Sequence, residues 1–70
     1  MYPVLREQLS EQHKSIAELA QEVGMSESSF YRRLRGEISW RLTEIVAIAM
    51  ALNYPDALRL FSTFNYDTPQ

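Results

Sequence analysis

The sequence predicts an all-α fold, a compact bundle of five short helices, and three observations carry that prediction. Apolar residues recur three and four positions apart almost throughout, and no stretch alternates as a half-buried strand would. The two glycines and three prolines fall between apolar segments, where they punctuate helices. The spacing from one stop signal to the next leaves room for only two to four turns per helix. The 70 residues suffice for one small domain, which is expected to span 1–65, with 66–70 a frayed tail.

The elements follow in order. Val4 to Gln12 reads as a first helix, with Pro3 suited to its first turn and Leu5 and Leu9 four apart. His13 and Lys14 fall where a last turn favours cations. Ser15-Ile16-Ala17-Glu18 is a capping box, in which the Ser hydroxyl and the Glu carboxylate each serve a free amide. It opens a second helix with Ile16, Leu19, Ala20 and Val23 on one side, and Gly24 supplies a left-handed stop. Ser26 caps a third helix running to about Arg35, ended by Gly36. Ile38 and Trp40 belong to an irregular connection, with Trp40 and the methionines most simply core. Leu42 to Leu52 forms a fourth helix that Asn53 can end. Pro55 at a first helical position is expected to start a short fifth helix to about Phe61 or Phe64.

Composition excludes several classes. With no Cys, neither a disulfide framework nor a thiolate zinc site can support so small a core. A hydrophobic share of 46% is too high for a disordered chain. No apolar run approaches the ~20 residues of a membrane span, and the first ten residues do not read as a signal peptide. A soluble, intracellular domain is the expectation. His13 is the only His, so no metal site is expected. No phosphate-cradling glycine loop appears, and no nucleophile has a base in reach. Neither cofactor nor catalysis is expected.

The net charge of −2 argues against nucleic acid if it is taken alone. Its distribution argues the other way. Between Ser26 and Arg41, four arginines (Arg32, Arg33, Arg35, Arg41) face Glu27 and Glu37, a local +2. The rest carries Arg6, Lys14 and Arg59 against seven carboxylates, a net of −4. On a helical wheel with Ser28 at zero, Tyr31, Arg32 and Arg35 lie within about 60° of it, while Phe30 and Leu34 lie opposite. One face can bury while the other presents a hydroxyl, a phenol and two guanidiniums. A plain solvated surface is the bland alternative.

Two helices joined by the short turn Gly24-Met25-Ser26 form a helix-turn-helix pattern, HTH unit about 15–36. The stretch from Ser15 to Asn53 resembles the DNA-binding domain of lambda-repressor and Cro-like (XRE-type) regulators. The residues that carry the resemblance are Ala17-Glu18-Leu19-Ala20, Gly24-Met25-Ser26, Ser29-Phe30-Tyr31-Arg32, Gly36, Ile48-Ala49 and Leu52-Asn53. The third helix is most similar to that of small phage and prophage regulators, with Arg33 and Arg35 where those carry Lys and Asn. The resemblance implies a homodimeric transcriptional regulator, a Cro-like repressor, cytoplasmic and nucleoid-associated in a bacterial or phage-infected cell. It inserts its third helix into the major groove of double-stranded operator DNA.

Arg32 is then the candidate for bidentate pairing with guanine, with Ser28, Tyr31 and Arg35 beside it. The amides after Ser15 and Ser26 are candidate phosphate sites. Glu27 stands where relatives carry a DNA-reading Gln or Arg; it can accept from cytosine or, more simply, favour the helix N-terminus. Ile16 stands where relatives clamp a phosphate with Gln, so that contact is missing. Arg41 replaces a capping Ser or Thr and either reaches phosphate or is ordinary surface. An alternative is a protein-interaction module, such as an antitoxin or antirepressor, motivated by the acidity and the aromatic C-terminus.

The fourth helix is apolar all round. Leu42, Ile45, Ile48, Ala49 and Leu52 are assigned to the core, which leaves Val46, Ala47, Met50 and Ala51 on a second face. Phe61, Phe64 and Tyr66 are expected to close over the same patch. A second copy can cover it, with Val46, Ala47, Met50, Phe61 and Phe64 as dimer interface, or the C-terminus can fold back over it within one chain. Neither a membrane nor a small-molecule ligand is expected as a partner.

Overall fold

The first four helices all stop in the same way. In the computed structural model, which describes residues 2–62, they are α1 Pro3–Glu11, α2 Ile16–Glu22, α3 Glu27–Leu34 and α4 Leu42–Ala51, followed by α5 Ala57–Leu60. Beyond each of α1 to α4 comes a left-handed residue: His13 (φ 54°), Gly24 (73°), Gly36 (83°) and Asn53 (54°). The next amide then reaches back across the last turn, Lys14 to Leu9 O, Met25 to Ala20 O, Glu37 to Arg32 O and Tyr54 to Ala49 O, at 2.8–2.9 Å. These are Schellman closures, which satisfy carbonyls a helix end leaves open. Gly24, Gly36 and Asn53 act as the sequence predicts. His13 does not: it lies outside the helix as its left-handed stop, a conformation His tolerates better than most residues.

The starts are equally local. Ser15 Oγ accepts from Glu18 N at 3.1 Å while the Glu18 carboxylate accepts from Ser15 N at 2.9 Å, completing the expected capping box. Ser26 Oγ accepts from Ser29 N at 3.1 Å. Arg41 has no side-chain acceptor to offer, but Glu44 accepts from its amide at 2.9 Å, so half of the box survives there. The expectation that Pro55 opens the fifth helix is corrected. Asp56 caps it, accepting from Arg59 N at 3.1 Å, and the helix begins at Ala57. A carboxylate can bond the free amides of a first turn, whereas a proline can only avoid wasting one.

The core is built from Leu5 and Leu9 of α1, Leu19 and Ala20 of α2, Phe30 and Leu34 of α3, Ile48 and Ala49 of α4, then Leu52 and Leu60. Helix α2 packs against both α3 and α4, and α5 against both α1 and α4. Side chains from the α1–α2 connection bond the open carbonyls at the end of α4: Gln12 Nε2 donates to Leu52 O at 2.8 Å, and Lys14 Nζ to Ala51 O at 3.4 Å. The α3–α4 connection is anchored by Trp40. Its ring meets Phe30 edge-on at 5.2 Å, Phe61 at 4.9 Å and Tyr2 at 6.4 Å. This arrangement suits the quadrupoles of aromatic rings.

One assignment for α4 changes. Ile48, Ala49 and Leu52 are buried and Ile45 is half-buried, but Leu42 is 68% exposed. At 100° per residue it lies about 70° from the centre of the face those four define, and at the first turn no described residue overhangs it. Among the methionines, Met25 packs on the core while Met50 is 75% exposed. Phe64 and Tyr66, like the proposed tail, lie outside the described residues.

Candidate nucleic-acid interface

Helix α3 separates its two faces as the wheel requires. Phe30 and Leu34 are buried, Phe30 completely, while Ser28, Tyr31, Arg32 and Arg35 are exposed. The helix is placed by three constraints: the Ser26 cap, the left-handed Gly24 that turns the chain from α2, and the packing of Phe30. Nothing lies within 4 Å of a Cβ built on Gly24, so that glycine is needed for its backbone angle rather than for space. Ser26 and Glu27 sit exposed at the N-terminus of α3, and Ser15 is exposed at the start of α2. Arg41 is exposed at the start of α4.

The structure divides the arginines into two kinds. Arg33 turns away from the outer face: its Nε donates to Glu44 Oε1 at 3.1 Å and its Nη1 to Ser29 O at 3.2 Å. Side-chain exposures of 14% and 19% mark the Arg33–Glu44 pair as sheltered from solvent. It pins α3 to the first turn of α4. Arg32 and Arg35 stay outside, with side-chain exposures of 54% and 56%, and both face Glu37. Arg35 Nε donates to Glu37 Oε2 at 2.7 Å, and Arg32 Nε lies 3.5 Å from Glu37 Oε1.

This pairing thins the positive charge read from sequence. Glu44, beyond the stretch first counted, joins the region through Arg33, so residues 26–44 carry four arginines against Glu27, Glu37 and Glu44, a net of +1. The guanidiniums leave their mark on the carboxylates. Glu37 is held below the usual range by its hydrogen bond from Arg35, and then by the charges of Arg35 and Arg32. Glu44 is lowered chiefly by the Arg41 amide, then by Arg33. Glu18 is lowered by the amide and hydroxyl of Ser15. All three are anions at neutral pH.

Sequence reasoning missed Glu37 and Glu44 as parts of this site. The signal for Glu37 was present, since a residue just past a helix stop returns over the last turn. That for Glu44 required the α3–α4 packing angle. The proposed dimer residues separate. Leu42, Val46 and Met50 form one exposed apolar row along α4, at 68%, 41% and 75% exposure. Ala47 lies half-buried beside it and, with Met50, Ala51, Glu22 and Val23, lines a shallow groove between α2 and α4. Phe61 is instead engaged by Tyr2, at 5.5 Å between ring centres, and by Trp40. Its ring closes the aromatic cluster within the chain, because α5 packs back on α1.

Among the described residues, five short helices with a polar, arginine-bearing outer face define a small all-helical domain. The model of the BetR domain family matches residues 4–68, and the chain belongs to that family. It matches none of the curated proteins and none of the solved structures with which it was compared. Among the described residues no helix is long and apolar enough to cross a membrane.

Proposed function

We propose that this BetR-domain protein is a sequence-specific, double-stranded DNA-binding regulator of transcription that places α3 in the major groove, as lambda-repressor and Cro-like proteins do. The observation that carries the reading is the division of α3: Ser28, Tyr31, Arg32 and Arg35 outward, Phe30 and Leu34 inward. Arg32 reads a base edge, since a guanidinium pairs bidentately with guanine. Ser28, Tyr31 and Arg35 support it, and Ser26 brings the free amides of α3 toward a phosphate. Ser15 and Arg41 extend the phosphate contacts on either side. Glu27 favours the helix N-terminus. Acting without catalysis, the domain represses by occupying its operator.

The exposed row of Leu42, Val46 and Met50 supports a homodimer. A symmetric pair would present two α3 helices to half-sites about 34 Å apart. Selection of bound sequences from a random pool of duplex DNA, followed by a salt titration, tests the reading. A recovered motif whose affinity falls steeply from low to moderate salt is expected. Salt-insensitive capture of a protein, with no DNA retained, would replace it with the interaction-module reading.

A further inference from the structure

Glu37 touches both arginines assigned to the DNA-facing side of α3. Its position is set by the backbone. Its amide donates to Arg32 O at 2.9 Å across the left-handed Gly36, so the residue is tied to the last turn of the helix. From that root the carboxylate takes Arg35 at 2.7 Å through one oxygen and approaches Arg32 at 3.5 Å through the other.

Both guanidiniums meet it through Nε. A guanidinium has five N–H donors, and engaging the one on Nε leaves the pair of terminal amino groups for an end-on, two-pronged contact. Glu37 therefore leaves the arginines able to contact a base while restricting how they can move. An arginine that turns its Nε edge to a phosphate must leave its carboxylate, whereas one that pairs end-on with a guanine need not. A phosphate that approaches either guanidinium also approaches this anion, which lies 2.7 Å from Arg35 and 3.5 Å from Arg32.

We propose that Glu37 is a specificity-determining positioning residue of the α3 face: it holds Arg32 and Arg35 by their Nε edges for base contact and withholds them from phosphates. The inference rests on the DNA-binding reading and adds to it a residue that contacts no DNA. Random duplex offers the arginines chiefly phosphates, so Glu37 penalises it. A cognate site accepts the held geometry.

The test is Glu37→Gln, which keeps the backbone amide and the side-chain shape. Binding is measured to a random duplex and to the duplex selected by the wild type, with Glu11→Gln on α1 as a remote charge control. Glu37→Gln is expected to bind random duplex about 3–10-fold more tightly, with a salt slope steeper by about one unit, as freed arginines displace counterions. Affinity for the selected duplex should stay level or fall. An equal gain on both duplexes, as the control should show, would reduce Glu37 to bulk charge and overturn the inference, as would no change on either. If the wild type selects no sequence, the DNA-binding reading fails and takes this inference with it. If it selects one and the variant keeps the same preference, this inference alone fails.

Discussion

The outer faces of α3 and α4 stand against the same core and could hardly differ more. The outer face of α3 presents a hydroxyl, a phenol and two guanidiniums, and both guanidiniums already have a partner in Glu37. On α4 the exposed row is Leu42, Val46 and Met50, which no other described residue covers. Polar groups can be restrained by directional bonds and still exchange them for equivalent ones, which suits a surface that reads a ligand. Apolar groups in water gain only by being covered, at about 25 cal/mol per Å². One face is thus suited to choosing a partner, the other to being buried by one. The sheltered Arg33–Glu44 pair joins the two helices, so neither face is oriented independently of the other.

The largest effect should come from removing what both faces share. Phe30 is fully buried and meets Trp40 edge-on at 5.2 Å. Phe30→Ala should cost about 3–5 kcal/mol, a large part of the stability of so small a domain. A thermal melt followed by far-UV circular dichroism should show the helices lost at far lower temperature. Retention of the wild-type melt would mean α3 is held by something other than its core face.

The next experiment separates the faces. Val46→Lys with Met50→Glu changes only side chains that are 41% and 75% exposed, so folding stability should move by less than about 0.5 kcal/mol. Sedimentation should show a dimer in the wild type and a monomer in the variant. The variant should also bind the selected duplex about a hundredfold more weakly, because paired half-sites act together. A wild type already monomeric at high micromolar concentration would remove the dimer and leave the assignment of α3 standing.

Within the polar face the comparison sharpens further. Arg32→Ala should cost about 1–3 kcal/mol and relax preference at one base pair per half-site. Arg41→Ala should weaken all sequences alike and flatten the salt slope by about one unit. Repeating the selection with each variant distinguishes the two outcomes. A motif unaltered by Arg32→Ala would show that α3 enters the groove in another orientation.

The smallest effect is the acid response of the joint between the faces. Glu44 is held below the ordinary glutamate value by the Arg41 amide and by Arg33. A carboxylate lowered in the folded state stabilises above its unfolded pKa, and that stability is lost as pH falls through the folded value. Melting temperature should therefore decline from about pH 5 downward, near and below the usual glutamate pKa of about 4.3. Glu44→Gln should flatten part of that decline, at below about 1 kcal/mol. An unchanged acid limb would assign the decline to other carboxylates, among them Glu18 and Glu37.

Much of this architecture was legible because it is encoded over four or five residues. The Ser15–Glu18 box, the Ser26 cap and the stops at Gly24, Gly36 and Asn53 depend on side chains and amides one turn apart. The burial of Phe30 and Leu34 opposite Ser28, Tyr31, Arg32 and Arg35 depends on helical periodicity alone. His13 was misjudged within that same range. A cation near a helix end can serve the last turn from inside it or stop it from outside, and both readings are local.

What only the tertiary structure decided lies at longer range. Leu42 is exposed because α3 meets the first turn of α4 on the side of Glu44 and no described residue covers the side of Leu42, while periodicity alone places it at the edge of the core. Phe61 turns to Tyr2 and Trp40 because α5 packs back on α1. Arg33 is withdrawn from the charged surface by Glu44, eleven positions away on another helix. Caps, stops and faces follow from bonds and angles repeated every turn, so the sequence by itself determines them. Which helices meet, and hence which charges pair and which apolar groups stay uncovered, depends on the angles at which the helices pack, and no local pattern contains those.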